Sequence, residues 1–286
     1  MATCSRRSMR SSNRSPSATQ PRTSRPQADR SPSEIHQSLE RVLEQVMEFS
    51  TEHYFPQLGR LWDVEESTLR EYWSQLNDDR QFIAAINDKI RDVPAFAGKQ
   101  FDSAAQMRAY RCMLYLVTRV SKPRTFVETG VQNGMSSAFI LLGLRHENNG
   151  TLYSVDLPPV EQRILDQGTP PLPSGKTPGW IIPDYLRDRH ELLLGAAEEL
   201  LPQVLAKQDS IEVFLHDSDH SYSHIMFEIG LAWRYLATGG HILVDNVEQN
   251  AAFADFARGV EAPSVVVSTF DGPDRVWQHG VLRKPA

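Results

Sequence analysis

The chain has 286 residues, 40% hydrophobic and 23% charged, with a formal net charge of −6. That length suits one full domain plus an accessory segment. The acidic balance argues against a general nucleic-acid binder, and no run approaches the ~20 apolar residues of a membrane span. Cys4 and Cys112 lie far apart and support neither a disulfide framework nor a zinc site, so a reducing, cytoplasmic setting is expected.

Residues 1–30 hold seven Arg, no Lys and one acid, Asp29, so this tail carries +6 and the remaining chain −12. Ser, Arg and Pro dominate it, leaving too little apolar surface to fold. Pro16, Pro21 and Pro26 spoil the amphipathic helix that a transit peptide needs, so the tail reads as disorder rather than targeting. A helical N-terminal segment is expected over 31–120. Ser31 and Glu34 make a capping box, Pro32 sits at the first helical position, and Ile35, Leu39, Val42, Leu43, Val46 and Met47 follow helical spacing. More helix is expected around 66–92 and 103–120, the latter carrying Met107, Tyr110, Leu114 and Val117. Cap, substrate or homodimer contacts are expected from this apolar extension.

From 124 onward, strand and helix alternate. "RTFVET", "TLYSVD", "HELLL", "SIEVFL" and "HILV" read as strands; "MSSAFILLGLRHE", "AAEELLPQVLAKQ", "YSHIMFEIGLAWRYL" and "AAFADFAR" read as helices. Such alternation predicts a Rossmann-like α/β fold, a mostly parallel sheet with helices on both faces. The end differs: "SVVVSTFDGPDRVWQHGVL" predicts an antiparallel hairpin around Asp271-Gly272-Pro273-Asp274. Residues 157–186, with seven Pro and three Gly, interrupt the alternation. A long loop carrying Trp180, Ile181, Ile182 and Tyr185 is expected to act as a lid or substrate loop within the domain 121–286.

Open α/β sheets bind ligands beyond the carboxyl ends of their strands. Here those ends are Glu128-Thr129-Gly130, Asp156, Gly195, Asp217 and Asp245-Asn246; four of the five offer a carboxylate. The glycine turn is Gly130-x-x-x-Gly134, with Gln132 where a dinucleotide fingerprint has its middle glycine, which disfavours a pyrophosphate. Asp156 closes its strand where it can accept both hydroxyls of a ribose. A nucleoside without a diphosphate is therefore expected, and S-adenosylmethionine fits.

Residues from about 103 to 284 resemble the class I S-adenosylmethionine-dependent methyltransferases. They are most similar to the small-molecule O-methyltransferases, the catechol type and the bacterial family with a "DGDHSY"-like motif. The resemblance implies a seven-stranded sheet. "VETGVQNGMSS" resembles the first motif, implying Glu128, Gly130 and Gly134 around the methionine part of the cofactor. "LYSVD" implies Asp156 on the ribose, and "LLLGAAEELLPQ" implies Gly195, Ala196 and Ala197 beside the adenine, with Ala196 where many relatives carry Asp. "FLHDSDHSY" and "ILVDNV" resemble the fourth and fifth motifs. Aligned on the DxDHSY core, they imply a divalent metal, Mg²⁺ by its hard oxygen ligands, at Asp217, Asp245 and Asn246. Asp217 would also border the cofactor and take part in catalysis.

His216, His220 and His224 recur at intervals of four, but the strand end at His216 and the following turn should break any metal-binding stripe. His220 falls near the position of a catalytic base in catechol-type enzymes; an imidazole there could take a hydroxyl proton or serve only as a structural hydrogen-bonder. The expected activity is methyl transfer to a hydroxyl of a small-molecule acceptor, metal-assisted, with neither nucleic acid nor membrane as partner. Three other readings stay open: a metal-independent transferase using His220 on an O- or N-acceptor, an inactive S-adenosylmethionine-binding protein, and a nucleotide-dependent oxidoreductase, which the missing glycine and terminal hairpin count against.

Overall fold

The computed structural model describes residues 51–158, 172–270 and 276–285. The expected helix after Ser31, the N-terminal tail, the first part of the 157–186 loop and the hairpin turn all lie outside these residues. Seven strands form one sheet: β1 (Thr125–Thr129), β2 (Thr151–Asp156), β3 (His190–Leu194), β4 (Ile211–His216), β5 (Leu236–Val244), β6 (Ser264–Phe270) and β7 (Val276–Arg283). Their order is β3-β2-β1-β4-β5-β7-β6. The first five run parallel, and β7 inserts antiparallel between β5 and β6, as the terminal hairpin implies. The order reverses between β1 and β4, which opens a crevice beyond their carboxyl ends.

Every residue of β1 is buried, and alternation along the strands sends side chains to two separate cores. On one face Phe126, Leu152, Val213, Leu215, Leu243, Val267 and Val281 pack under helices α1 (Phe55–Trp62), α2 (Glu66–Asp78), α3 (Arg80–Ile90), α4 (Ala109–Ser121) and α5 (Met135–His146). On the other, Val127, Val155, Phe214, Ile242 and Val244 pack under α6 (Ala197–Ala206), α7 (Tyr222–Tyr235) and α8 (Ala252–Gly259). The helical stretch before β1 thus joins α5 in one layer of the sheet's own core.

Two helix boundaries differ from expectation. The run expected over 66–92 breaks at Asp79, whose carboxylate accepts from Phe82 N at 2.8 Å and caps α3. The run expected over 103–120 begins as a 3₁₀ turn, Ala104–Met107, and restarts as α4 after Arg108 at φ +87°. Helix α1 falls within the helical segment expected over 31–120, although no motif marked its bounds; Pro56 sits in the first turn, where the missing N–H costs nothing. Ahead of α1, the Tyr54 hydroxyl donates to Ser268 O (3.3 Å) and accepts from Ser268 N (2.9 Å) on β6.

The described part of the 157–186 loop is packed. Trp180, Ile181 and Ile182 are buried. Gly179 N donates to Gln132 O (2.9 Å), Ile181 N to Asn133 O (3.0 Å), and Trp180 Nε1 to Asn133 Oδ1 (2.6 Å). These bonds strap the segment onto the glycine turn. Among the described residues, no helix is long and apolar enough to cross a membrane.

Candidate functional site

One residue past each parallel strand, the backbone ladder continues. Gly195 N donates to Asp156 O, Gly130 N to Val155 O, Asp217 N to Thr129 O and Asp245 N to His216 O, each at 2.9 Å. Residues 130, 156, 195, 217 and 245 therefore leave the sheet at one level. Gly130 sits at φ +81°, and a Cβ there would lie 1.9 Å from the carbonyl oxygen of Asp217. Only glycine lets the first turn and the exit of β4 touch. Gly134, at φ +87°, faces the strap instead: a Cβ would meet Gly179 Cα at 2.6 Å.

Asp156 Oδ2 accepts from Gln132 N (2.7 Å) and Val131 N (3.2 Å), and Oδ1 from Leu157 N (2.8 Å). These bonds shape the turn. Glu128 is fully buried. Its Oε1 accepts from Ser137 Oγ (2.5 Å) and Ser154 Oγ (2.6 Å), while Oε2 is buried without a partner. Burial raises its pKa to about 7 against the two serine bonds, and the charge of Asp156 adds to the rise. Ser154 is held in turn by His190 Nε2 at 2.8 Å, a ring that burial keeps neutral with its pKa near 4. Gly195, Ala196 and Ala197 are half-buried at the β3 edge, where α6 starts without a side-chain cap.

Asp217, His220 and Asp245 bring one ligand atom each within 4.8 Å of one another. Nε2 of His220 is 3.9 Å from Asp217 Oδ1 and 3.5 Å from Asn246 Nδ2. Asn246 adopts the left-handed conformation, φ +54°, at the turn after β5. Asp217 and Asp245 are hydrogen-bonded to each other. Burial and the Asp245 charge push Asp217 well above the carboxylate range. For Asp245 burial acts the same way, but His279 and the proton shared with Asp217 outweigh it and hold it at about 2. Asp217 keeps 24% of its side chain open, yet only into a small cavity, so its proton stays poorly solvated. Burial lowers the pKa of His220, leaving its imidazole free to accept a proton near neutrality.

The cavity, about 90 Å³, is also lined by Tyr110, Arg111, Asn246 and His279. Sequence reasoning missed His279 and Arg111. Nδ1 of His279 lies against Asp245 Oδ1, and Nε2 bonds Thr269 Oγ1 at 3.0 Å. The β5–β7 register, Val244 opposite Gly280, is what brings 279 beside 245. No local motif announces that pairing. Arg111 is a helix residue of α4 with an ordinary sequence neighbourhood.

The three spaced histidines split. His220 joins the acids, whereas His216 Nδ1 (2.5 Å) and His224 Nε2 (2.8 Å) both donate to the fully buried Glu228, which also takes Thr129 Oγ1 (2.5 Å) and Ser218 Oγ (2.9 Å). Burial alone would raise Glu228, but these histidines hold it at about 2. This network braces the β4 exit from behind.

Residues 127–247 match the sequence family described as a methyltransferase domain. The chain is 27% identical over 184 residues to a candidate O-methyltransferase of Mycolicibacterium smegmatis, covering 64% of this chain and 76% of that protein. A candidate O-methyltransferase of Mycolicibacterium vanbaalenii is 28% identical over 162 residues, 57% of this chain and 61% of that one. Among solved structures, the fold is similar to the O-methyltransferase TomG of Streptomyces achromogenes, of tomaymycin synthesis and in complex with SAM. The TM-score is 0.51 at 16% identity, covering 77% of this chain and 96% of that one. A candidate O-methyltransferase of Klebsiella pneumoniae gives a TM-score of 0.51 at 14% identity, covering 85% and 100%.

Proposed function

We propose, from the premise that residues 127–247 belong to the methyltransferase-domain family, that this chain transfers a methyl group from S-adenosylmethionine to a hydroxyl of a small-molecule acceptor. The observation that carries the reading is the common level at which Gly130, Asp156, Gly195, Asp217 and Asp245 leave the sheet, with His220 beside the last two acids. Asp156 would take the ribose hydroxyls, and the unpartnered Oε2 of Glu128 would accept from the donor's ammonium. Gly195, Ala196 and Ala197 would border the adenine. An edge rich in carboxylates suits a ligand whose sulfonium is positive.

The sheet would hold donor and acceptor in line, and much of the rate gain would be orientation. The acceptor oxygen attacks the methyl carbon, the carbon–sulfur bond breaks with its electron pair going to sulfur, and the hydroxyl proton passes to His220 Nε2. Asp217, Asp245 and Asn246 supply donors that fit Mg²⁺, and two carboxyls that must share a proton are a pair a cation relieves. When bound, such an ion would acidify the acceptor hydroxyl. A metal-independent transferase is the second reading, favoured by Arg111, whose guanidinium already brings positive charge to the same acids. Buried, unpaired Cys112 accords with a reducing, cytoplasmic setting.

Labelled methyl transfer tests both readings. With a metal, chelator abolishes turnover, Mg²⁺ restores it, and Asp245→Asn loses it while still binding S-adenosylmethionine. His220→Ala then costs about 10²–10⁴-fold in rate. Turnover that survives chelator but not His220→Ala selects the metal-independent reading. Indifference to all of these changes sinks the site assignment.

A further inference from the structure

We infer that the cavity beside Asp217 and Asp245 contains a carboxylate subsite, built by the Tyr110 hydroxyl and the Arg111 guanidinium, next to the point where the acceptor hydroxyl reacts. This rests on the methyltransferase reading of that cavity. Tyr110 is only 4% exposed, and its hydroxyl is buried without a hydrogen-bond partner. Nε of Arg111 is likewise buried and unpartnered, while Nη1 donates to Met107 O at 2.7 Å. Among the described residues Arg111 makes no ion pair with either acid, so the Nε edge of its planar fork is left for an incoming pair of oxygens.

Two buried donors without acceptors would be costly in a cavity that served only to hold water out. Both residues line the same roughly 90 Å³ space as the acids. The Tyr110 ring is stacked on His279 at 3.9 Å and 14°, which fixes where its hydroxyl is presented. Asp217 and Asp245 would repel a ligand carboxylate, but the guanidiniums of Arg108 and Arg111 line the same cavity and match the two acids in number. Guanidinium donates only, and a phenol beside it completes a donor set that matches a carboxylate better than a neutral hydroxyl or an amine. An acceptor bearing a carboxylate next to its hydroxyl satisfies both halves of the cavity. The amino-acid end of S-adenosylmethionine carries the same chemistry.

Calorimetric titration of the full chain separates these sources. The probes are 2,3-dihydroxybenzoate and its neutral primary amide, then S-adenosylmethionine and its decarboxylated form. Wild-type protein should prefer the acid to the amide; Arg111→Met should erase that preference by about tenfold or more, Arg111→Lys should recover part of it, and Tyr110→Phe should weaken the acid alone. If Arg111→Met instead weakens S-adenosylmethionine about tenfold and leaves the decarboxylated form alone, the subsite holds the donor's carboxylate. No preference for either carboxylate over its neutral counterpart, including no binding of either benzoate probe, overturns the subsite. Failure of wild-type protein to bind S-adenosylmethionine in any form overturns the methyltransferase reading itself. Melting temperatures of the Arg111→Lys and Tyr110→Phe variants guard against misfolding.

Discussion

Glu128 carries opposed demands in one side chain. Its folded-state pKa, about 7, lies above the ordinary value of 4.5. The native state therefore holds more protons than the unfolded chain between those values, and stability falls as pH rises through that window. Glu128→Gln keeps an acceptor for Ser137 and Ser154 and removes the titration. Urea melts should show the variant gaining about 1–3 kcal/mol over wild type at pH 8, with little gain at pH 4.5. If Oε2 meets the donor's ammonium, the same variant binds S-adenosylmethionine about tenfold more weakly. An unchanged pH slope would mean the carboxyl is already solvated. Glu128 was legible in the sequence as an acid at a strand end. Its burial was not, because Ser137 and Ser154 reach it from α5 and β2, nine and 26 residues away.

Among the elements, the strand-end turns show what pattern can and cannot reveal. Alternating apolar runs announced the parallel strands and their covering helices, since period and length are local properties. The break at Asp79 was hidden because a capping aspartate inside a charged run looks like any solvated residue. His279 was hidden for a different reason: its partner Asp245 is fixed by the antiparallel register of β7, a property of the assembled sheet. Gly130 joins both cases, legible as a glycine turn but explained only by the Asp217 carbonyl packed on it. Gly130→Ala should push the β4 exit off β1, cost about 2 kcal/mol or more of stability, and remove turnover. Gly175→Ala, at φ +74° with nothing within 4 Å, should cost only about 1 kcal/mol and leave turnover intact. Equal effects of the two substitutions would show that strain, not the close approach, sets the cost.

For the whole molecule, the helices from α1 to α4 decide whether the α/β region can stand alone. A fragment of residues 122–286 would keep α5 over β2 but lose the cover that α1 and α4 give to β4, β6 and β7, where Val213, Leu215, Val267 and Val281 lie. Sequence alternation made that region look self-sufficient, because a strand buried on both faces does not say which chain segment covers each. The fragment should express as aggregate, or as a species with helical circular dichroism and no cooperative melt; a cooperative melt near that of the parent would show that the layer is dispensable. The same layer has a further consequence at the sheet's rim. β6 is an outermost strand, and the Tyr54 hydroxyl both gives to and takes from the backbone of Ser268. A single phenol thus answers both the N–H and the C=O of Ser268, which a foreign strand would seek along β6. A second molecule approaching that rim would find its template interrupted at Ser268.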